Sequence, residues 1–363
     1  MVKRVLWIFI IILLLIIGFI LLNINPIFGG RVSKEEKSDY LERATNYING
    51  KFIYPLEYKG EGEAIDKRVS NKGKSPKGML PLVKATINNE VLIDEVTVTW
   101  FGHSTLLIQM HGMNILIDPI FSDRSSPVSF IGPKRFSKPP VTIEELPKID
   151  IIIISHNHYD HLDINSIKKL DSKVMKYIVP LGVEKQLERL NIKKSKIQSM
   201  AWWEETQING LTIACTPARH FSNRQIFDIT KTLYASWVLK DEKYQIYESG
   251  DGGFGAHFNE IHKRYGDFDF VMMESGQYNM RWHNIHMFPE EAVKAADILG
   301  AKISMPIHWG AFVLSDHGWD DSVERFVKAS EKSGTEVITP KIGETVYLYK
   351  YKDYQDKWWK DIE

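Results

Sequence analysis

Strands alternating with helices predict an α/β or α+β protein, and three observations carry that prediction. Residues 149–163, IDIIIISHNHYDHLD, open on a β-branched apolar run that reads as a strand buried on both faces and stops abruptly at Ser155. Residues 105–109 and 114–117 flank His111-Gly112, a hairpin signal inside a β-meander that begins with VTVTW at 96–100. Residues 289–299 carry proline in the first turn and Gly300 just past the end, which marks a helix.

The chain has 363 residues, enough for one large or two modest domains with a substantial core. Lys plus Arg and Asp plus Glu number 46 each, so the formal net charge is zero and no global field steers nucleic acid. The only cysteine, Cys215, excludes an internal disulfide and a cysteine-rich metal site; inside LTIAC it reads as a small core residue.

Residues 5–22, VLWIFIIILLLIIGFILL, run without a charge after Lys3 and Arg4. That length predicts an N-terminal transmembrane helix within residues 1–30, a membrane anchor with no small-residue cleavage site behind it. The basic flank places the N-terminus inside and the rest of the chain extracytoplasmic, while Arg31, Lys34 and Lys37 pull the other way. Residues 31–90 read as a polar linker and N-terminal extension, with SNKGKSPKG a flexible loop and a short helix over 38–48.

Past the meander, residues 164–170 read as a helix capped by Asp163 or Asn165, residues 177–180 as a strand and 183–190 as a helix. Strands follow at 211–216, 233–239, 244–248, 268–274 and 303–307. Four of the apolar strands run directly into a histidine or an aspartate, at His156, His220, Asp251 and His308. Sites in layered α/β folds form outside the carboxyl ends of strands, so one edge gathers His156, His158, Asp160, His161, His220, Asp251 and His308. These are zinc-type donors, too many for one tetrahedral ion and suited to two ions that share a carboxylate. Manganese or iron suits the same nitrogen and oxygen set. Gly250, Gly252 and Gly253 around Asp251 fit a backbone that passes close to a metal. His103 reads equally as a site residue at a strand end and as a hydrogen-bonded structural histidine.

The motif His156-x-His158-x-Asp160-His161 resembles the signature of the metallo-β-lactamase superfamily. Within it the chain is most similar to N-acyl-phosphatidylethanolamine-hydrolysing phospholipases D, through VTWFGHSTLLI, DPIFSDRSSPVSFIGPKRF, AWWEE, TPARH, RWHNIHMFPEEAV and IHWGAF. The resemblance implies an αβ/βα four-layer sandwich over residues 91–350, followed by a C-terminal tail at 351–363. It implies one zinc held by His156, His158, His220 and Asp251, and a second held by Asp160, His161 and His308, with Asp251 bridging. In the family Thr-Gly-Tyr follows the bridging aspartate; here Gly252-Gly253-Phe254 stands in its place.

The implied function is a metal-dependent phosphodiesterase of phospholipase D type, acting on N-acyl-phosphatidylethanolamine or a related phospholipid through a hydroxide bound by two zinc ions. Asp160 and Asp251 would orient the water. His286, before the helix of HMFPEEAV, is a candidate for binding phosphate or protonating the leaving oxygen, or else a helix cap. Phe130, Phe136, Phe221, Tyr278 and Trp282 are candidates for an acyl groove, with ordinary packing the competing role, and Arg135 and Arg281 are candidates for phosphate contact, with a solvated surface the competing role. The competing enzyme reading is a lactonase or a hydrolase of a soluble phosphodiester on the same fold. A non-catalytic membrane-tethered metal-binding or sensor protein is a further alternative, against which the complete set of seven ligands argues. The expected partners are a phospholipid or small phosphodiester and a membrane, with no nucleic acid, and the resemblance also admits a homodimer.

Overall fold

The computed structural model describes residues 4–13, 18, 25–55, 73–88, 90–224 and 228–362. Helix α1 (Lys34–Arg43) starts at Ser33, which forms a capping box with Glu36. It is followed by a short hairpin of β1 (Tyr47–Ile48) and β2 (Lys51–Phe52). The helix expected over 38–48 is therefore displaced toward the N-terminus. The Ser33-x-x-Glu36 box sets its start, and Tyr40 buries against Tyr47 and Phe52 of the hairpin that ends it.

The meander β3 (Thr97–Trp100), β4 (Leu106–Met110) and β5 (Met113–Ile117) is antiparallel, and β6 (Ile149–Ile153), β7 (Val174–Pro180) and β8 (Ile197–Met200) extend it in parallel. A second sheet runs from β9 (Glu205–Ile208) through β10 (Leu211–Pro217), β11 (Ala235–Lys240), β12 (Gln245–Glu248), β13 (Phe270–Glu274) and β14 (Ile303–Ile307) to β15 (Glu336–Val337). Strand β16 (Thr345–Tyr347) returns to pair with β3, which gives each sheet seven strands among the described residues.

Period-two alternation in the sequence decides the layers. In β6, Ile151 and Ile153 face the second sheet, while Ile152 and, just past the strand, Ile154 face α2 (Ile164–Leu170) and α3 (Glu184–Arg189). In β13, Phe270 and Met272 join that inter-sheet core, and Val271 and Met273 pack under α4 (His257–Tyr265), α5 (Pro289–Ile298) and α6 (Asp321–Ser330). The result is a four-layer sandwich of helices, sheet, sheet and helices. Cys215 is a free, fully buried member of the inter-sheet core. Asp163 caps α2 by accepting from the Asn165 amide at 3.1 Å.

The expected transmembrane helix is a correction. No helix among the described residues is long and apolar enough to cross a membrane. Residues 4–13 are helical, about half of the ~20 residues a span requires, and the rest of the expected stretch, apart from residue 18, lies outside the described residues. The single-pass membrane placement with an extracytoplasmic domain falls with it, because it rested on that helix and none of bilayer length stands among the described residues.

Candidate metal centre

The seven expected ligands meet at the edge where strands of both sheets end. Ser155 ends the β6 run, and the turn after it brings His156, His158, Asp160 and His161 together. His220, Asp251 and His308 arrive on the loops after β10, β12 and β14. Backbone hydrogen bonds join the sheets here, from the His308 amide to the His103 carbonyl at 3.0 Å and from the Ala235 amide to the Ser155 carbonyl at 2.9 Å. His103, Asp118 and His308 all take left-handed backbone angles, with φ of 55°, 41° and 69°. Such conformations cost energy in non-glycine residues and persist where the surroundings fix them.

The donors form two sets around one oxygen. Nε2 of His156 is 2.8 Å from Nδ1 of His158, which lies 3.2 Å from Nε2 of His220; Oδ2 of Asp251 stands 3.9 Å from both Nε2 atoms. On its other side Oδ2 of Asp251 lies 3.1 Å from Nε2 of His161 and 3.2 Å from Nε2 of His308. Oδ2 of Asp160 completes that set at 3.5 Å and 3.4 Å from the same two nitrogens. Ligands about 2.0–2.1 Å from a tetrahedral ion are separated by about 3.3 Å, the scale of these gaps. Oδ1 of Asp251 is buried without a hydrogen-bond partner, a costly state for a carboxylate that a cation relieves. The residues present therefore fit two divalent ions.

Neighbouring groups fix which nitrogen each imidazole offers. Nδ1 of His161 meets Oδ2 of Asp118 at 2.6 Å, Nδ1 of His156 meets the Ser155 hydroxyl at 2.9 Å, and Nδ1 of His220 donates to the Ile285 carbonyl at 2.9 Å. Each Nε2 is left to face the ion. Burial and the surrounding imidazoles push His156 and His220 well below the usual histidine range, so both keep the lone pairs that metal binding requires. Burial also opposes charge on His161, but the carboxylates of Asp251, Asp160 and Asp118 outweigh it and hold its pKa well above that range. His103 is a site residue at one remove, with Nε2 2.9 Å from Oδ2 of Asp160.

Arg224 ties the metal loop down. Fully buried, it donates to the carbonyls of Asn157 at 2.7 Å, Leu162 at 2.9 Å and Ile27 at 2.8 Å, and stacks 4.0 Å over the Tyr159 ring. Burial lowers its pKa to about 10. Two of the glycines beside Asp251 are required by packing: a Cβ on Gly250 would lie 2.5 Å from the Ala235 carbonyl oxygen, and one on Gly253 2.2 Å from that of Asn284. They let the loop thread between neighbouring chain segments.

Other candidates separate cleanly. His286 stands beside the centre, its ring 5.1 Å from His220 edge-on and stacked 5.4 Å from His308. Phe221 packs on His158 at 4.6 Å and forms an apolar wall, whereas Tyr278 is fully buried and Phe130 is 80 % exposed at a loop tip. Phe136 packs on the inter-sheet core, and Trp282 donates to the Gln277 carbonyl at 2.8 Å. Arg135 is buried and spends its donors on the carbonyls of Ile120, Ser122 and Ser137. Arg281 pairs with Asp316 at the surface. Asp118 and Glu274 were missed, although both stand at strand ends, where the rule that found Asp251 would have flagged them.

Residues 113–309 match a family described as the β-lactamase superfamily domain. An N-acyl-phosphatidylethanolamine-hydrolysing phospholipase D of Caenorhabditis elegans is 33 % identical over 263 residues, 68 % of this chain and 74 % of that protein. The chain belongs to the metallo-β-lactamase superfamily. As a member it is a metal-dependent hydrolase. An uncharacterised protein of Mycobacterium tuberculosis is 36 % identical over 317 residues, covering 84 % of this chain and 85 % of the relative. The structure of a metallo hydrolase from Ignicoccus hospitalis shares the fold at 22 % identity, with a TM-score of 0.55 over 70 % of this chain and 98 % of that one.

Proposed function

We propose that the chain is a phospholipase D-type phosphodiesterase that hydrolyses N-acyl-phosphatidylethanolamine or a related phospholipid with two divalent ions, zinc first among them. The observation that carries this reading is the pair of donor sets on either side of Oδ2 of Asp251. The named activity of the Caenorhabditis elegans relative supports this substrate class.

His156, His158, His220 and Asp251 would hold one ion, and Asp160, His161, His308 and the shared Asp251 the other. When bound, such ions stabilise negative charge on phosphoryl oxygens and make water acidic enough to react near neutral pH. Asp160 and Asp251 present carboxylate oxygens that orient a water for in-line attack. His286, 13 % exposed at the rim, would handle the proton that the departing alcohol needs. The Phe221 wall suits the apolar part of a lipid next to the phosphate.

The test is the zinc-loaded full chain with N-acyl-phosphatidylethanolamine in mixed micelles, products identified by mass spectrometry and His156→Ala as control. Release of phosphatidic acid and N-acylethanolamine is the expected result. Turnover of lactones without any phosphodiesterase activity, from protein holding two ions, would overturn the substrate assignment.

A further inference from the structure

Glu274 ends β13 with its side chain fully buried. Oε1 lies 2.5 Å from Nδ1 of His286, and Oε2 accepts the Met287 amide at 3.1 Å. A carboxyl group in so unfavourable a place needs partners, and both of its oxygens are committed to one turn, His286-Met287.

Asp251, Glu274, His286 and His308 also offer donor atoms within 4.8 Å of one another, which raises the alternative of a further ion. The 2.5 Å separation excludes joint ligation by Oε1 and Nδ1. Two ligands of one ion at ordinary bond lengths stand about 3.3 Å apart, whereas a short charge-assisted hydrogen bond comes much closer to the observed separation.

We propose that Glu274 is a positioning residue for His286. It holds the imidazole with its proton on Nδ1, so that Nε2 faces the substrate from a point between His220 and His308. This rests on the diesterase reading above and adds to it the path of one proton. In hydrolysis a bond forms between phosphorus and water oxygen, the bond between phosphorus and the alcohol oxygen breaks, and a water proton ends on the alcohol. Nε2, protonated from solvent, gives its proton to the departing oxygen on the face opposite the attacking water, whose own proton passes to solvent, while the Nδ1 proton stays on nitrogen and Glu274 stabilises the transient imidazolium.

The decisive variant is Glu274→Gln. Its carbonyl can still accept from the Met287 amide, but its NH2 group then faces Nδ1 and favours the tautomer with the proton on Nε2. In zinc-loaded full chain carrying 15N-histidine, with His286→Ala assigning the resonance, the His286 pattern should change from Nδ1-protonated to Nε2-protonated. Zinc content should stay unchanged, and Glu274→Asp should restore the original pattern. On N-acyl-phosphatidylethanolamine, whose alcohol leaves poorly, kcat should fall about 100-fold with KM altered less than about threefold. On bis(p-nitrophenyl) phosphate, whose nitrophenolate departs unprotonated, the loss should be under about threefold. Adding Glu274→Gln to His286→Ala should cost nothing more. The same tautomer in both proteins, or an equal loss in the His286→Ala background, would overturn the proposal. A chain inactive on both diesters would sink the substrate reading while the tautomer measurement still decided the role of Glu274.

Discussion

Oδ2 of Asp118 lies 2.6 Å from Nδ1 of His161, and both side chains are fully buried. The same carboxylate accepts the Ser155 hydroxyl at 2.5 Å and, through Oδ1, the Ser155 amide at 2.8 Å. One acid thereby orients His161 and fixes the start of the metal loop. Asp118→Asn keeps the shape but turns one acceptor into a donor. Zinc affinity on the His161 side should weaken about 10- to 100-fold, measured by competition with a chromophoric chelator, and affinity on the His220 side should change little.

Sharing of Asp251 predicts unequal metal losses. His220→Ala removes a donor from one set alone, so the bound zinc, counted by mass spectrometry on dialysed protein, should fall from about two ions toward one. Asp251→Ala should take the count below one. Equal losses in the two variants would mean that Asp251 does not serve both sets.

Glu184 gives a pH-dependent stability away from the metal centre. Burial raises its pKa to about 7, against hydrogen bonds from Tyr40 and the Gly182 amide and the charge of Lys185. The folded state binds this proton more tightly than the unfolded state. Its contribution is therefore fully present below the unfolded pKa near 4.5 and is lost as pH rises through about 7. Denaturant melts should show stability declining across that window by up to about 3 kcal/mol. Glu184→Gln, which can donate to Tyr40 and accept from Gly182, should flatten the decline.

Gly276 is held by contact. A Cβ there would stand 1.9 Å from the carbonyl oxygen of His308, a backbone atom that cannot swing aside. Gly276→Ala should cost more than about 2 kcal/mol in denaturant melts and displace His308 enough to lower zinc occupancy. Retention of both stability and metal would show that the β14 turn is more adaptable than its packing suggests.

Much of the centre was legible because ligands in this fold follow apolar strands. The β-branched run into His156 and the histidines after β10 and β14 carry their chemistry in local order. Asp118 and Glu274 obey the same rule, yet a single carboxylate after a strand is also an ordinary turn residue, and only the fold shows that each meets an imidazole. The N-terminal part was read less well. Eighteen uncharged residues state hydrophobicity without fixing a helix, and the start of α1 depended on a capping box overlooked at Ser33. Arg135 fits neither of the roles expected for it, phosphate contact or a solvated surface: it is buried, and three of its N–H groups donate to loop carbonyls.

The bond between Arg224 and the Ile27 carbonyl bears on how the protein can be trimmed for crystallisation or assay. A version beginning at Arg31 would discard that acceptor, together with the Gly29 and Pro26 carbonyls that receive Arg189 and Gln186. The guanidinium beneath the metal loop would be left one partner short, at about 1–3 kcal/mol, and poor zinc retention in such a version would be an artefact of cloning. The first turn after Asn25 belongs to the working enzyme, and the cut should precede it.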